Sequence, residues 1–322
     1  MSKGRLLSGM QPTGLLHLGN LEGALSNWVK LQDEYDSFYF IADWHALTTL
    51  YDKTEQIKEF RRQVAMDFLA AGLDPAKCAV FVQSDVKEHA ELHLLLSMVT
   101  TISWLERVPT FKEKQDQLKL ETVSYGLMGY PVLQAADILI YKANAVPVGR
   151  DQLPHLELSR EIGRRFNHIY GELFPDCEAK LTEYPEMPGL DGRKMSKSYG
   201  NAIYIADTDE ETWQKVRTMF TDPTKIHKDD PGHPEGCAVY NLFKVYGQAD
   251  MHDDCVAGKI GCIQCKKRLA AYLNDKLGPI REKRRELEQH PEKLDDILAD
   301  GAAKARKVAR ETMGEIRETM RF

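Results

Sequence analysis

At 322 residues and 43% hydrophobic content, the chain is long enough for two domains and a sizeable core. Its formal net charge of -6 excludes nucleic-acid binding through overall charge alone, so any RNA contact has to be local. No apolar run is long enough to span a bilayer, and Met1-Ser2-Lys3-Gly4-Arg5 leads straight into a strand, which points to a cytoplasmic, soluble enzyme. The apolar run 6–10 reads as that strand, and the amphipathic stretch 20–31 as the helix behind it. A second strand candidate covers 37–42 and is followed by Asp43. Asp52-Lys53-Thr54-Glu55 reads as a capping box that starts a helix running to about Gly72. A strand over 78–82, a long helix over 88–108, a helix containing 130–141, a short strand over 145–148 and a helix after Pro154 follow. This alternation predicts an α/β fold with a doubly wound parallel, Rossmann-like sheet. Ligands in such sheets gather at the carboxyl ends of the strands, where the first turn, Asp43 and residues 149–152 fall. After about Asn201 the pattern contains helices only. The expected division is a catalytic domain over 1–195 and an all-helical domain over 200–302, with a C-terminal helix at about 303–322 packing back on the first.

Two short segments carry the clearest chemistry. Gly14-Leu15-Leu16-His17-Leu18-Gly19-Asn20 sits where the first strand turns into a helix. Free N–H groups at a helix start, the positive end of the helix dipole and a backbone stripped to glycine favour a closely approaching anion. Gly9, Gly14 and Gly19 allow the approach, while His17 and the Asn20 amide can donate to phosphate oxygens. The second segment, Lys194-Met195-Ser196-Lys197-Ser198, places two ammonium groups and two hydroxyls in a loop with nothing apolar to pin it, able to close over a polyphosphate. Together they predict ATP held at two ends. Candidate basic clusters for RNA are Lys112 with Lys114, Lys266-Lys267-Arg268, Arg281 to Arg285, and Lys304, Arg306, Lys307 and Arg310. Each reads equally well as a solvated helix face.

A His-x-Gly-Asn turn on the first strand, followed later by Lys-Met-Ser-Lys-Ser, resembles the signature pair of class I aminoacyl-tRNA synthetases. Asn20 stands where many members carry a second histidine, and asparagine still donates. Further segments narrow the resemblance: Ser8-Gly9-Met10-Gln11-Pro12-Thr13-Gly14, Ala42-Asp43-Trp44-His45-Ala46-Leu47-Thr48, Leu105-Glu106-Arg107 with Phe111-Lys112-Glu113-Lys114, and Tyr130-Pro131 through Asp137. With Val148-Gly149-Arg150-Asp151-Gln152, His155-Leu156-Glu157-Leu158 and the stretch from Leu294 through Arg310, they are similar to the tryptophanyl-tRNA synthetase family over nearly the whole chain. Gln134 departs from the pattern, because many tryptophanyl members have methionine there. A glutamine on this helix is similar to the tyrosyl-tRNA synthetases, so tyrosine is the alternative substrate. A metabolite adenylyltransferase could use the same histidine turn but needs neither the helical domain nor the lysine loop. A non-catalytic binding or redox-sensing relative is opposed by the intact His17, Lys194, Lys197 and Asp137.

Tyr130, Gln134 and Asp137 fall at i, i+4 and i+7, on one face of a helix. Val132, Leu133, Ala135, Ala136, Ile138, Leu139 and Ile140 surround them, which argues against a helix lying in water. The resemblance implies that Asp137 accepts the indole N–H of tryptophan. A ring lacking that donor would leave a buried acceptor unpaired, at about 1–3 kcal/mol. It further implies Gln11 and Tyr130 at the amino or carboxylate end of the substrate, with His45, Gln134, Val146 and Val148 as additional tryptophan contacts.

The reaction implied by the family is ATP-dependent ligation of L-tryptophan to tRNA(Trp) through a tryptophanyl-adenylate, with release of pyrophosphate and AMP. The attacking carboxylate needs no deprotonation, so catalysis rests on positioning and on neutralising charge on the leaving pyrophosphate. His17, Lys114, Lys194 and Lys197 are the expected phosphate contacts. Gln11, Thr13, Gly19, Asn20, Met195 and Ser196 complete the ATP site, Asp151 and Gln152 fall near the ribose or metal, and Mg²⁺ completes the charge. No side-chain base is evident for the second step, in which the terminal ribose hydroxyl of tRNA attacks the adenylate; His45 is a candidate contributor and reads equally well as a structural histidine. The family also implies a homodimer, with 94–108 as its interface stretch.

Six cysteines are present, and four fall as Cys237, Cys255, Cys262 and Cys265, the last two forming a C-x-x-C. In a cytosolic chain this reads better as a metal or cluster site than as disulfides. A [4Fe–4S] cluster, Zn²⁺ and four free thiols remain open in that order; the family includes members with cluster-ligating cysteines in the helical domain. Cys78 and Cys177 read as solitary structural residues. The expected role of the site is to brace a surface, beside Lys266-Lys267-Arg268, that reads the tRNA anticodon.

Overall fold

A computed structural model describes residues 4–108, 123–181, 186–248 and 250–322. Five strands, β1 (Arg5–Met10), β2 (Asp36–Ile41), β3 (Cys78–Val82), β4 (Ala145–Val148) and β5 (Glu178–Leu181), form one sheet in the order β3-β2-β1-β4-β5. Every pairing is parallel. Helices cover both faces, which is why β3 is buried along its whole length and reads as an unbroken apolar run. The order reverses between β1 and β4, and the crevice at that switch point is where a doubly wound sheet binds its ligand. Strand β5 is absent from the sequence reading. Glu178-Ala179-Lys180-Leu181 is an edge strand with charged, partly exposed residues, so only its register with β4 reveals it.

Behind β1 the chain makes α1 (Leu18–Asn20), a π-helical turn over Leu21–Leu25 and α2 (Ser26–Leu31). Next come α3 (Asp43–Leu50) after β2 and α4 (Thr54–Ala70) before β3. The anticipated capping box does not form: Lys53 is the N-cap residue and makes no side-chain cap bond. The single helix expected over 88–108 is two, α5 (Glu88–Ser97) and α6 (Ile102–Glu106), because Thr101, directly before the second, adopts an extended backbone. Helix α7 (Tyr125–Ile140) starts on the Ser124 hydroxyl, which accepts the Leu127 N–H, and α8 (Leu153–Tyr170) starts with Pro154 in its first turn.

Beyond β5 the described residues contain α9 (Asp209–Thr218), α10 (Ala238–Val245), α11 (His252–Val256), α12 (Cys262–Gln289) and α13 (Pro291–Met320). Their core is continuous with that of the sheet, since Leu269, Leu273 and Leu277 of α12 join one buried cluster with Leu18, Trp28 and Phe68. Helix α13 returns to β3, burying Ala302, Ala305, Ala309, Met313 and Ile316 against the other sheet face. Several residues read as solvated cations are interior: Lys266, Arg281 and Arg284 are each under 10% exposed. Arg281 donates to Asp209 and to the Thr212 hydroxyl at 2.7 Å each, which explains how a charge persists there. No helix among the described residues is long and apolar enough to cross a membrane.

Candidate active site

The crevice between β1 and β4 opens into a cavity of about 260 Å³. Gln11, His45, Gln134, Asp137, Val146, Val148 and Gln152 line it together with Phe40 and Gly9. Gly9 has to be glycine, because a Cβ there would lie 2.8 Å from the Phe40 carbonyl oxygen. Seven of the residues expected at the tryptophan and ATP sites therefore share one wall system. Tyr130 is not among the lining residues; it is buried, with its hydroxyl 3.3 Å from His155 Nε2. Asp151 accepts from Gln152 at 2.9 Å on the short turn that follows β4. Asp43 is a structural group: its carboxylate accepts from Ser84 N and Oγ and from Arg61, tying α3 to the end of β3.

Asp137 is the most elaborately held group of the cavity. It is 1% exposed and accepts from His45 Nε2 at 2.7 Å, His89 Nδ1 at 2.6 Å and Gln83 Nε2 at 2.8 Å. Burial pushes its carboxyl up, but the bonds from His45 and His89 outweigh this and hold it down at about 2. Because an ionised carboxylate only accepts, both histidines present an N–H to it. The second ring nitrogen of His89 lies 2.8 Å from the Tyr141 hydroxyl, within hydrogen-bond distance. Gln83, His89 and Tyr141 are absent from the sequence reading. Gln83 follows β3 directly, at the carboxyl end where ligands gather, and Tyr141 extends the Tyr130–Gln134–Asp137 stripe by four residues, so position carried a signal for both.

The two signature segments are brought together. Leu18 N–H donates to the Ile203 carbonyl and Ile205 N–H to that of Leu16, stitching the first turn to the chain just after the lysine loop. Lys197 Nζ donates to the Gly14 carbonyl at 3.0 Å. Gly14 has a φ of 145°, a backbone conformation open to glycine and strained for other residues. His17 is buried, and burial followed by the nearby Lys197 ammonium pushes its imidazole down to about 4. Asn20 accepts the His17 N–H at 3.0 Å through its side-chain oxygen, which leaves its amide NH₂ as the outward donor. The lysine loop does have an apolar pin, contrary to expectation: Met195 is 4% exposed and its N–H bonds to the Met187 carbonyl. Ser196 caps the following turn, and Lys194 is exposed and paired with Glu186 at 2.9 Å. Thr13 and Gly19 lie on the first turn. Lys114 and Lys112 lie outside the described residues.

Cys237, Cys255, Cys262 and Cys265 line one small cavity of about 30 Å³. Cys237 caps α10, and Cys262 and Cys265 stand in the first turns of α12, so two helix starts face the cavity. Gly232 leaves room for the Cys255 thiol, which a Cβ would meet at 2.6 Å. Burial and then the neighbouring thiols push Cys265 up to about 12. Four thiols are the donor set of zinc or an iron–sulfur cluster. As they stand, no three His, Cys, Asp or Glu side chains among the described residues form a metal-holding group. Cys78 and Cys177 are free and buried, as expected of structural cysteines.

A parallel sheet of this order, with a His-x-Gly-Asn turn on its first strand bonded to a Lys-Met-Ser-Lys-Ser loop, defines a class I aminoacyl-tRNA synthetase. Residues 2–278 match the family described as tRNA synthetases class I (W and Y). The chain is 51% identical to a Tryptophan--tRNA ligase of Thermotoga maritima, with 98% of each chain covered, and 45% identical to one of Aquifex aeolicus, covering 98% of this chain and 99% of that one. A crystal structure of tryptophanyl-tRNA synthetase from Campylobacter jejuni, complexed with ADP and tryptophan, superimposes with a TM-score of 0.91 at 38% identity, covering 99% of this chain and all of the other. The chain belongs to the tryptophan–tRNA ligases.

Proposed function

We infer that this chain ligates L-tryptophan to tRNA(Trp) at the expense of ATP, through a tryptophanyl-adenylate. The observation that carries the reading is Asp137, a charged acceptor fixed by His45, His89 and Gln83 in the cavity between β1 and β4. An indole N–H entering the cavity meets this carboxylate and shares or replaces the His45 bond. Gln134 lines the same wall, and the full-length similarity to tryptophan–tRNA ligases favours tryptophan over tyrosine. The tryptophan carboxylate attacks the α-phosphorus and pyrophosphate leaves. The ribose hydroxyl of tRNA then attacks the adenylate carbonyl and AMP leaves.

In this reading His17, Lys197, Lys194 and Lys114 neutralise the phosphates with Mg²⁺, and Thr13, Gly19, Asn20, Met195 and Ser196 complete the ATP site. Lys194 is free to swing inward, because its exposed pair with Glu186 is worth about 0–1 kcal/mol at most. Gln152 and Asp151 serve the ribose or metal, and Gln11 and Tyr130 the amino or carboxylate end of the substrate. The division into a catalytic unit over 1–195 and an anticodon-binding helical unit over 200–302 belongs to the same reading, as do a cytoplasmic location and a homodimer through 94–108. The exposed Leu94, Met98 and Ile102 support such an interface. Cys237, Cys255, Cys262 and Cys265 are read as the ligands of a [4Fe–4S] cluster, with Zn²⁺ second. Their convergence on one cavity at two helix starts supports it; the group would brace the tRNA-facing surface.

ATP–pyrophosphate exchange on anaerobically purified protein tests the activity. Exchange is expected with tryptophan alone, and Asp137→Ala is expected to lower kcat/KM for tryptophan by roughly 10- to 150-fold, the equivalent of a lost buried acceptor. Exchange with tyrosine, or none with any amino acid, rejects the reading.

A further inference from the structure

The protein's own side chains fill the Asp137 carboxylate. An ionised carboxylate offers about four acceptor positions, two on each oxygen. On Oδ1 they are taken by His89 Nδ1 at 2.6 Å and Gln83 Nε2 at 2.8 Å, and on Oδ2 by His45 Nε2 at 2.7 Å and Gln83 Nε2 at 3.0 Å. An indole N–H can therefore bond this carboxylate only where one of these donors gives way. The three donors differ in place. His45, on α3, lines the cavity, whereas Gln83 and His89 have no solvent exposure and stand outside its lining. Gln83 sits on the turn directly after β3, and among the described residues its Oε1 has no hydrogen-bond partner. A buried orphan acceptor costs stability, which sets Gln83 apart from a residue that serves the fold alone. His89, near the start of α5, packs against Phe40 of β2, Phe81 of β3 and Tyr141, with ring centroids 6.0, 6.3 and 5.4 Å away. The Tyr141 ring in turn stacks on Phe38 of β2 at 4.7 Å. Two of the donors thus belong to the packing of the sheet, and the third to the cavity wall.

We propose that Gln83 and His89 are positioning residues for substrate specificity: they fix the Asp137 carboxylate toward the cavity, and the His45 bond is the one that yields to the indole N–H. The role rests on the reading of Asp137 as the acceptor of that N–H. Neither residue touches the substrate. What they determine is the preference for a ring that carries an N–H over one of the same shape that lacks it. A held acceptor left unpaired by the wrong ring is penalised, whereas a loose one can turn to another donor.

The test is ATP–pyrophosphate exchange on the full chain with two amino acids, L-tryptophan and its benzothiophene analogue, in which sulfur replaces the indole N–H. The wild type is expected to favour tryptophan by roughly 10- to 100-fold in kcat/KM. His89→Leu and Gln83→Met are each expected to cut that preference at least roughly fivefold, with kcat/KM for the analogue and KM for ATP within about twofold of wild type. Gln83→Met keeps the shape of a side chain whose carbonyl has no partner, so it supplies the measurement where His89→Leu does not fold. His89→Asn, whose amide nitrogen stands at the Nδ1 position, is expected to retain the preference. So is His45→Ala, whatever its effect on rate, because the His45 bond is given up on binding. Tryptophan and analogue falling together in His89→Leu or Gln83→Met, a preference left unchanged by both, or a preference lost in His89→Asn or His45→Ala overturns the proposal. Wild-type protein that uses both amino acids equally rejects Asp137 as the N–H acceptor, and wild-type protein that fails to exchange with tryptophan rejects the enzymatic reading; the proposal falls with either.

Discussion

His17 stands where burial and the Lys197 ammonium both disfavour a charged ring, so its imidazole is neutral down to about pH 4. In the unfolded chain it takes up a proton near pH 6.5. The unfolded state therefore binds more protons between these values, and the stability His17 contributes is complete above pH 6.5 and is lost as pH falls toward 4. The expected outcome is a melting temperature that drops less steeply between pH 7 and 5 in His17→Gln than in the wild type; parallel slopes would refute it. At this scale the sequence was legible wherever spacing encodes a shared face or turn, as for His17, Gln134 and Asp137. It was less legible where one side chain exists to hold another. His89 and Tyr141 matter through the hydrogen-bonded chain they build onto Asp137, and a histidine in an apolar helix carries no mark of its partner. Likewise nothing in the sequence tells a buried Arg284 from the exposed Arg285 beside it.

Among the elements, α13 packs closely on the sheet, and its glycines separate two physical effects. A Cβ on Gly301 would lie 1.9 Å from the Val80 carbonyl oxygen of β3, whereas one on Gly314 meets nothing within 4 Å. Gly301→Ala is expected to destabilise by about 1–3 kcal/mol through forced displacement of backbone. Gly314→Ala is expected to stabilise by about 0.5–1 kcal/mol through helix propensity. Urea unfolding of both variants checks this, and equal effects would mean the helix does not press on β3. Buried strands such as β3 were readable because two-sided burial leaves a continuous apolar run. The edge strand β5 and the break between α5 and α6 were not. Both depend on pairing and local backbone geometry, to which composition is blind.

For the molecule as a whole, the two halves share one core along α12, and the cysteine cavity sits at the far end of that helix from Arg284. If the thiols hold a group that braces a tRNA surface, Cys265→Ser should weaken tRNA charging far more than ATP–pyrophosphate exchange. Equal losses in both would remove the local role. Iron and zinc content of the same preparations, measured by elemental analysis, separates a cluster from zinc and from free thiols. The order of these contacts along the chain has a bearing on biosynthesis. Arg306 of α13 donates to the Asp85 carbonyl beyond β3 across 221 positions. At ribosomal speeds of about 5–20 residues per second, roughly 10–45 s separate the emergence of β3 from that of the helix that covers it. During that interval β3 lacks the helix whose Ala302, Ala305, Ala309, Met313 and Ile316 press onto this sheet face, so its packing is finished only once the last helix has been made.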